Sequence, residues 1–129
     1  MGIRELAEQA QTEIKSMYVD EVLPRYGDDN LVFVDVRDAR EAEKSGTIEG
    51  AKSAPRGMIE FWFDPESPYF RDVYGDADKT YLLFCNAEWR SALCAKSLQD
   101  MGIKNVVQLF GGFPAWRDAG GPTEEKKRK

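Results

Sequence analysis

Cys85-Asn86-Ala87-Glu88-Trp89-Arg90-Ser91 is the stretch of this sequence best equipped for chemistry. It follows the apolar run Tyr81-Leu82-Leu83-Phe84 and precedes a segment of helical periodicity, so the cysteine stands where a strand hands over to a helix. In α/β folds, ligands gather beyond the carboxyl ends of the strands. A chain curling from strand into helix can aim several backbone N–H groups at one point, and the helix N-terminus adds positive potential. Such surroundings hold an anion and depress a thiol pKa, and the thiolate is the reactive form. Arg90, five residues after Cys85, adds a full positive charge and a planar fork of donors. A nucleophilic cysteine is therefore feasible without a histidine base. The competing reading is a small core residue at the end of an apolar strand. Arg90 within a polar loop shifts the balance toward function.

Composition narrows the chemistry further. The chain has 129 residues, no histidine and two cysteines. That excludes a Ser-His-Asp triad, a Cys-His dyad, every histidine-containing metal site and a four-thiolate centre within one chain. Neither a metal nor an organic cofactor is expected. The net charge of −5 argues against nucleic-acid binding, which needs clustered Lys and Arg. No apolar run is long enough for a membrane span. The residues Met1 to Gln9 are charged and periodic rather than signal-like, which points to the cytosol.

The elements that must position the loop are readable from periodicity. Ile3, Leu6, Ala7, Ala10, Ile14 and Met17 fall at helical spacing, giving an N-terminal helix over residues 1–16 ahead of a domain over 17–122. Val19, Val22, Leu23 and Tyr26 continue the helical pattern to Gly27. Leu31 to Val36 reads as a buried strand, Asp38 to Lys44 as a short helix ended by Gly46, and Ala51 to Pro55 as a second strand. Tyr81 to Cys85 is the third strand, Ser91 to Met101 a helix, and Val106 to Leu109 the fourth strand. Gly111-Gly112 is a turn before a last helix with Pro114 in its first turn. Strands alternating with helices predict an α/β fold, a parallel sheet covered on both faces. Residues 123–129 read as a charged, solvated tail ending Lys126-Lys127-Arg128-Lys129.

Three blocks then become recognisable. The first is Asp35-Val36-Arg37, Glu41 and Gly46-Thr47-Ile48-Glu49-Gly50-Ala51. The second is the loop from Cys85 to Ser91 with Ala92. The third is Asn105-Val106-Val107, Leu109, Gly111-Gly112, Ala115-Trp116, Ala119-Gly120 and Pro122. In these, from about Met17 to Pro122, the chain resembles the single-domain rhodanese family, and Pro55 to Trp62 looks like a bacterial subgroup of it. The resemblance implies a doubly wound five-stranded parallel sheet. It also implies sulfur transfer through a Cys85 persulfide, loaded from a donor such as thiosulfate and unloaded onto cyanide or a thiol. Asn86, Ala87, Glu88, Trp89, Arg90 and Ser91 would cradle the sulfur, and Asp35 and Arg37 would support the loops around it.

Loop length helps to choose among the family's reactions. Relatives acting as Cdc25-type phosphatases or arsenate reductases carry one residue more between Cys and Arg; here four lie between Cys85 and Arg90. The tighter ring suits one extra sulfur better than a tetrahedral oxyanion. A module that docks partners or senses persulfides without rapid turnover is the alternative from the binding class. Thr47 stands where the family often has His, and Glu88 where relatives often carry Gly. An outward Glu88 leaves the site open to an anionic donor; an inward one opposes it. Arg40 and Arg56 are candidates to face the donor's oxyanion, each set against a solvated surface arginine. Cys94 reads as a buried core thiol. The aromatics of Gly57 to Lys79, with Trp89, form either a flap completing the core or a rim where an acceptor protein docks.

Overall fold

The computed structural model describes residues 1–126; residues 127–129 of the basic tail lie outside it. The chain runs α1 (Ile3–Glu13), β1 (Ser16–Met17), α2 (Val19–Val22), β2 (Leu31–Asp35), α3 (Ala39–Ser45), β3 (Thr47–Ile48), β4 (Lys52–Ser53) and α4 (Ile59–Phe63). It continues through β5 (Thr80–Phe84), α5 (Trp89–Asp100), β6 (Val106–Leu109), α6 (Gly112–Asp118) and β7 (Thr123–Glu124). Five strands form one parallel sheet in the order β1-β6-β5-β2-β4, the doubly wound arrangement that the family resemblance implies. Among the described residues no helix is long and apolar enough to cross a membrane.

Alternation along the strands divides the core. Val34, Tyr81, Leu83 and Val106 face one layer, completed by Ile59 and Phe63 of α4 and by Cys94, Ala95 and Leu98 of α5. Leu31, Phe33, Leu82, Phe84, Val107 and Leu109 face the other, completed by Val22 of α2 and Phe113 and Trp116 of α6. Helix α1 packs outside α5. The central strands are apolar on both faces because helices cover both.

Several elements differ from expectation. Ile14 and Met17 fit helical spacing, but α1 stops at Glu13, and Ser16–Met17 pairs with β6 as the fifth strand. The sheet edge claims the residues that periodicity had given to a helix. The helix starting at Val19 tightens into a 3₁₀ turn at Leu23–Arg25, where Pro24 cannot donate an N–H. Thr123–Glu124, expected to be solvated tail, pairs antiparallel with Thr47–Ile48. Helix α5 begins at Trp89 rather than Ser91, so Trp89 and Arg90 belong to its first turn.

Candidate active site

The chain crosses from β4 at one edge back to β5 on the other side of β2. The carboxyl ends of β2 and β5 therefore meet at the switch point of the sheet. Cys85 follows β5 directly and is 1% exposed. Asp35 closes β2, and Val36 N–H donates to the Phe84 carbonyl at 3.0 Å, tying the two strand ends together.

Arg37 organises this end of the sheet. Its side chain is buried, and a buried guanidinium must place all its N–H groups. Nε and Nη2 donate to Asp35 at 2.9 and 2.8 Å, and Nη2 also donates to the Gly46 carbonyl at 2.7 Å. Nη1 donates to Ser45 Oγ at 3.1 Å and to Asn86 Oδ1 at 3.0 Å. Thr47 Oγ1 donates to Asp35 Oδ2 at 2.9 Å, so the hydroxyl holds the carboxylate. Asp35 and Arg37 thus hold each other, and Arg37 reaches the cysteine loop through Asn86.

The loop is held from the opposite side by α6. Phe113 N–H donates to the Cys85 carbonyl at 2.8 Å. Gly112 has φ +65°, and a Cβ there would lie 2.3 Å from the Cys85 carbonyl oxygen and 2.7 Å from that of Ala87. Only glycine lets the backbone come this close. Glu88 has φ −136°, an ordinary value for any L residue, so the loop does not need glycine at that position. Among the described residues, no acceptor takes the backbone N–H of Asn86, Ala87 or Glu88. The first turn of α5, carrying Trp89, Arg90 and Ser91, adds the unpaired N–H groups of a helix start. This is an anion-receptive environment beside a thiol.

Arg90 does not offer the free fork that the sequence suggested. Glu41 of α3 takes it in a bidentate pair, Oε2 to Nη1 at 2.6 Å and Oε1 to Nη2 at 2.9 Å. Glu41 Oε1 also accepts from Asn86 Nδ2 at 3.1 Å, and Oε2 from the Asp38 N–H at 3.0 Å. The Arg90 guanidinium holds the Glu41 carboxyl below the usual carboxylate range. Glu41 in turn raises the Arg90 pKa, with a smaller contribution from Cys85. Sequence reasoning placed Glu41 in a family block without giving it a role at the site. The legible signal was Asp38-x-x-Glu41, a capping box at the start of α3.

A cavity of about 540 Å³ opens beside the loop, lined by Val36, Asp38, Arg56, Glu60, Arg90 and Cys94 among others. Arg56 is exposed at this cavity and forms no ion pair among the described residues. Arg40 does not line the cavity: it pairs at 3.1 Å with Asp38, which does, and 79% of its side chain is exposed. Cys94 is a buried free thiol, and burial pushes its pKa up to about 12. The aromatic segment divides between the two roles considered for it. Phe63 and Tyr74 are buried and stack at 4.5 Å, whereas Phe61 and Tyr69 are exposed and meet edge to face at 6.4 Å. Trp89 is also exposed.

With this geometry in view, comparison with known proteins places the chain. The model of the rhodanese-like domain matches residues 18–119. The chain belongs to the rhodanese-like family. A structure from Rhodopseudomonas palustris, of a protein of unknown function described as a possible tyrosine phosphatase, superposes with a TM-score of 0.90 at 44% identity, covering 96% of this chain and 95% of that one. The tRNA sulfurtransferase of Shewanella halifaxensis is 36% identical over 110 residues, 82% of this chain and 20% of that protein. The dual specificity phosphatase Cdc25 of Arabidopsis thaliana is 28% identical over 110 residues, 79% of this chain and 72% of that one. The chain spans only 27% and 20% of the length of the first two curated relatives it matches.

Proposed function

We propose that this rhodanese-like chain is a sulfurtransferase that carries a sulfane sulfur on Cys85. The observation that carries this reading is the confined cysteine loop. Four residues separate Cys85 from Arg90, Gly112 presses against the loop, and unpaired N–H groups line it. Such a ring suits one added sulfur. The Cys85 thiolate attacks the outer sulfur of a donor such as thiosulfate; a new S–S bond forms, the old one breaks, and its electron pair leaves on sulfite. A cyanide or thiolate acceptor then attacks the outer sulfur of the persulfide, and Cys85 leaves as thiolate. Arg56, at the neighbouring cavity, is placed to attract an anionic donor or an acceptor carboxylate. The exposed Phe61 and Tyr69 suit an acceptor protein.

Phosphatase chemistry is the second reading, favoured by the likeness to the Arabidopsis Cdc25 protein. Against it stands the bidentate grip of Glu41 on Arg90, which takes two of its five N–H donors and sets a carboxylate against the loop. The experiment runs thiosulfate–cyanide turnover and aryl phosphate hydrolysis in parallel, with wild type and Cys85→Ser. Thiocyanate formation lost in Cys85→Ser, with negligible phosphate release, supports sulfur transfer. Cys85-dependent phosphate release without thiocyanate overturns it.

A further inference from the structure

Gln108 is a fully buried polar residue in β6, and it belongs to a chain of side chains that ends on the nucleophile. Cys85 Sγ lies 3.5 Å from Ser91 Oγ, and Ser91 Oγ lies 2.8 Å from Gln108 Oε1. Gln108 Nε2 donates to Ser16 Oγ at 3.1 Å and to Gln11 Oε1. Gln11 Nε2 donates to the Glu88 carbonyl at 2.9 Å. The chain thus joins α1, β6, α5 and the cysteine loop.

Its direction is fixed at the far end. A carbonyl oxygen only accepts, so Gln11 must turn Nε2 to Glu88 and Oε1 to Gln108. An oxygen facing Gln108 requires Nε2 there, which leaves Oε1 facing Ser91. Ser91 has one proton, and that oxygen takes it. Toward Cys85 the hydroxyl therefore has only lone pairs, and the contact is a thiol S–H donating to Ser91 Oγ. A hydrogen bond made by the neutral form disfavours ionisation. For Ser91 to turn its proton onto a thiolate, buried Gln108 Oε1 would lose its donor, a cost comparable with the gain.

We propose that Gln11 and Gln108 are positioning residues that hold Ser91 as an acceptor. They thereby keep the Ser91 proton on Gln108 and turned away from the Cys85 sulfur. This rests on Cys85 being the reactive thiol, but its readout is acidity and needs no turnover. The charged and titratable groups around Cys85 remain in place when Gln11 changes. They are Arg90 and Cys94 on α5, Glu88 in the loop, Asp35 with Arg37 from β2 and the segment after it, Glu41 from α3 paired with Arg90, and Arg56 at the cavity.

The test is the pH dependence of Cys85 alkylation by iodoacetamide, with single modification checked by intact mass. Cys94 stays silent because its pKa is pushed up to about 12. In Gln11→Met, Gln108 is free to reverse its amide, donate to Ser91 and accept from Ser16, which lets Ser91 donate to the thiolate. The alkylation profile is expected to move about one pH unit to the acid side, in line with one hydrogen bond gained by the ionised form. Gln108→Met is expected to shift the same way, and Gln11→Met carries the test alone if that variant does not fold. Ser91→Ala is expected to show no rise in the thiol pKa, and adding Gln11→Met to it no further shift. An unchanged profile in Gln11→Met, or a rise of about one unit in Ser91→Ala, overturns the proposal.

Discussion

Gly112→Ala probes the contact that shapes the cysteine loop. Gly112 has φ +65°, and the added Cβ would fall 2.3 and 2.7 Å from the carbonyl oxygens of Cys85 and Ala87, which are backbone atoms and cannot rotate away. The left-handed conformation costs a non-glycine residue about 1–2 kcal/mol. Separating α6 from the loop also removes the 2.8 Å bond from Phe113 N–H to the Cys85 carbonyl, worth about 1 kcal/mol. The loss is therefore about 2–3 kcal/mol, before residual overlap. Gly120→Ala is the control: Gly120 has φ +82° but nothing within 4 Å of an added Cβ. It carries only the conformational cost. Urea denaturation should place Gly112→Ala about 1 kcal/mol or more below Gly120→Ala. A loop displaced by about 1 Å should also lower the rate of sulfur loading by about a hundredfold, whereas Gly120→Ala loads normally. If the two variants match in both stability and rate, the argument that Gly112 shapes the site is wrong.

Other substitutions test the remaining supports. Arg37→Met leaves the Asp35 carboxylate buried without its partner and should cost about 3–5 kcal/mol in urea denaturation; a near-neutral result would refute the account of that network. Glu41 has a lowered pKa in the fold, so its stabilising contribution is present above the usual carboxylate range and lost as pH falls through the lowered value. Acid titration of stability should accordingly be shallower in Glu41→Gln than in wild type, and identical curves would contradict the pairing. Cys94→Ala should leave sulfur loading unchanged, because a thiol with its pKa pushed up to about 12 is neutral near pH 8. Lost loading in that variant would make Cys94 a participant.

The sequence revealed what depends on local pattern. β5 and Cys85 were legible because a short apolar run followed by a polar loop and a helix leaves few alternatives. β6 was legible for the same reason. Of the two-residue strands, β4 falls within the strand expected over Ala51 to Pro55, but Ser16–Met17 was not legible: it is too short to show a period of two, and its neighbours also fit a helix. The pairing of Arg90 with Glu41 joins positions 49 residues apart and carries no local signal. Arg90 therefore looked free in the sequence and is clamped in the fold. Gln108 was the more readable omission, since an amide between Val107 and Leu109 interrupts an apolar strand. Gln11 lay on the polar side of an amphipathic helix, where glutamine is ordinary.

The central claim is that Cys85 itself holds the transferred sulfur. Intact-mass spectrometry after incubation with thiosulfate, then again after cyanide, addresses it directly. The account predicts a gain of one sulfur atom, located on Cys85, absent in Cys85→Ser and removed by cyanide. Sulfur transfer proceeding with no adduct, or with the adduct on Cys94, would contradict it.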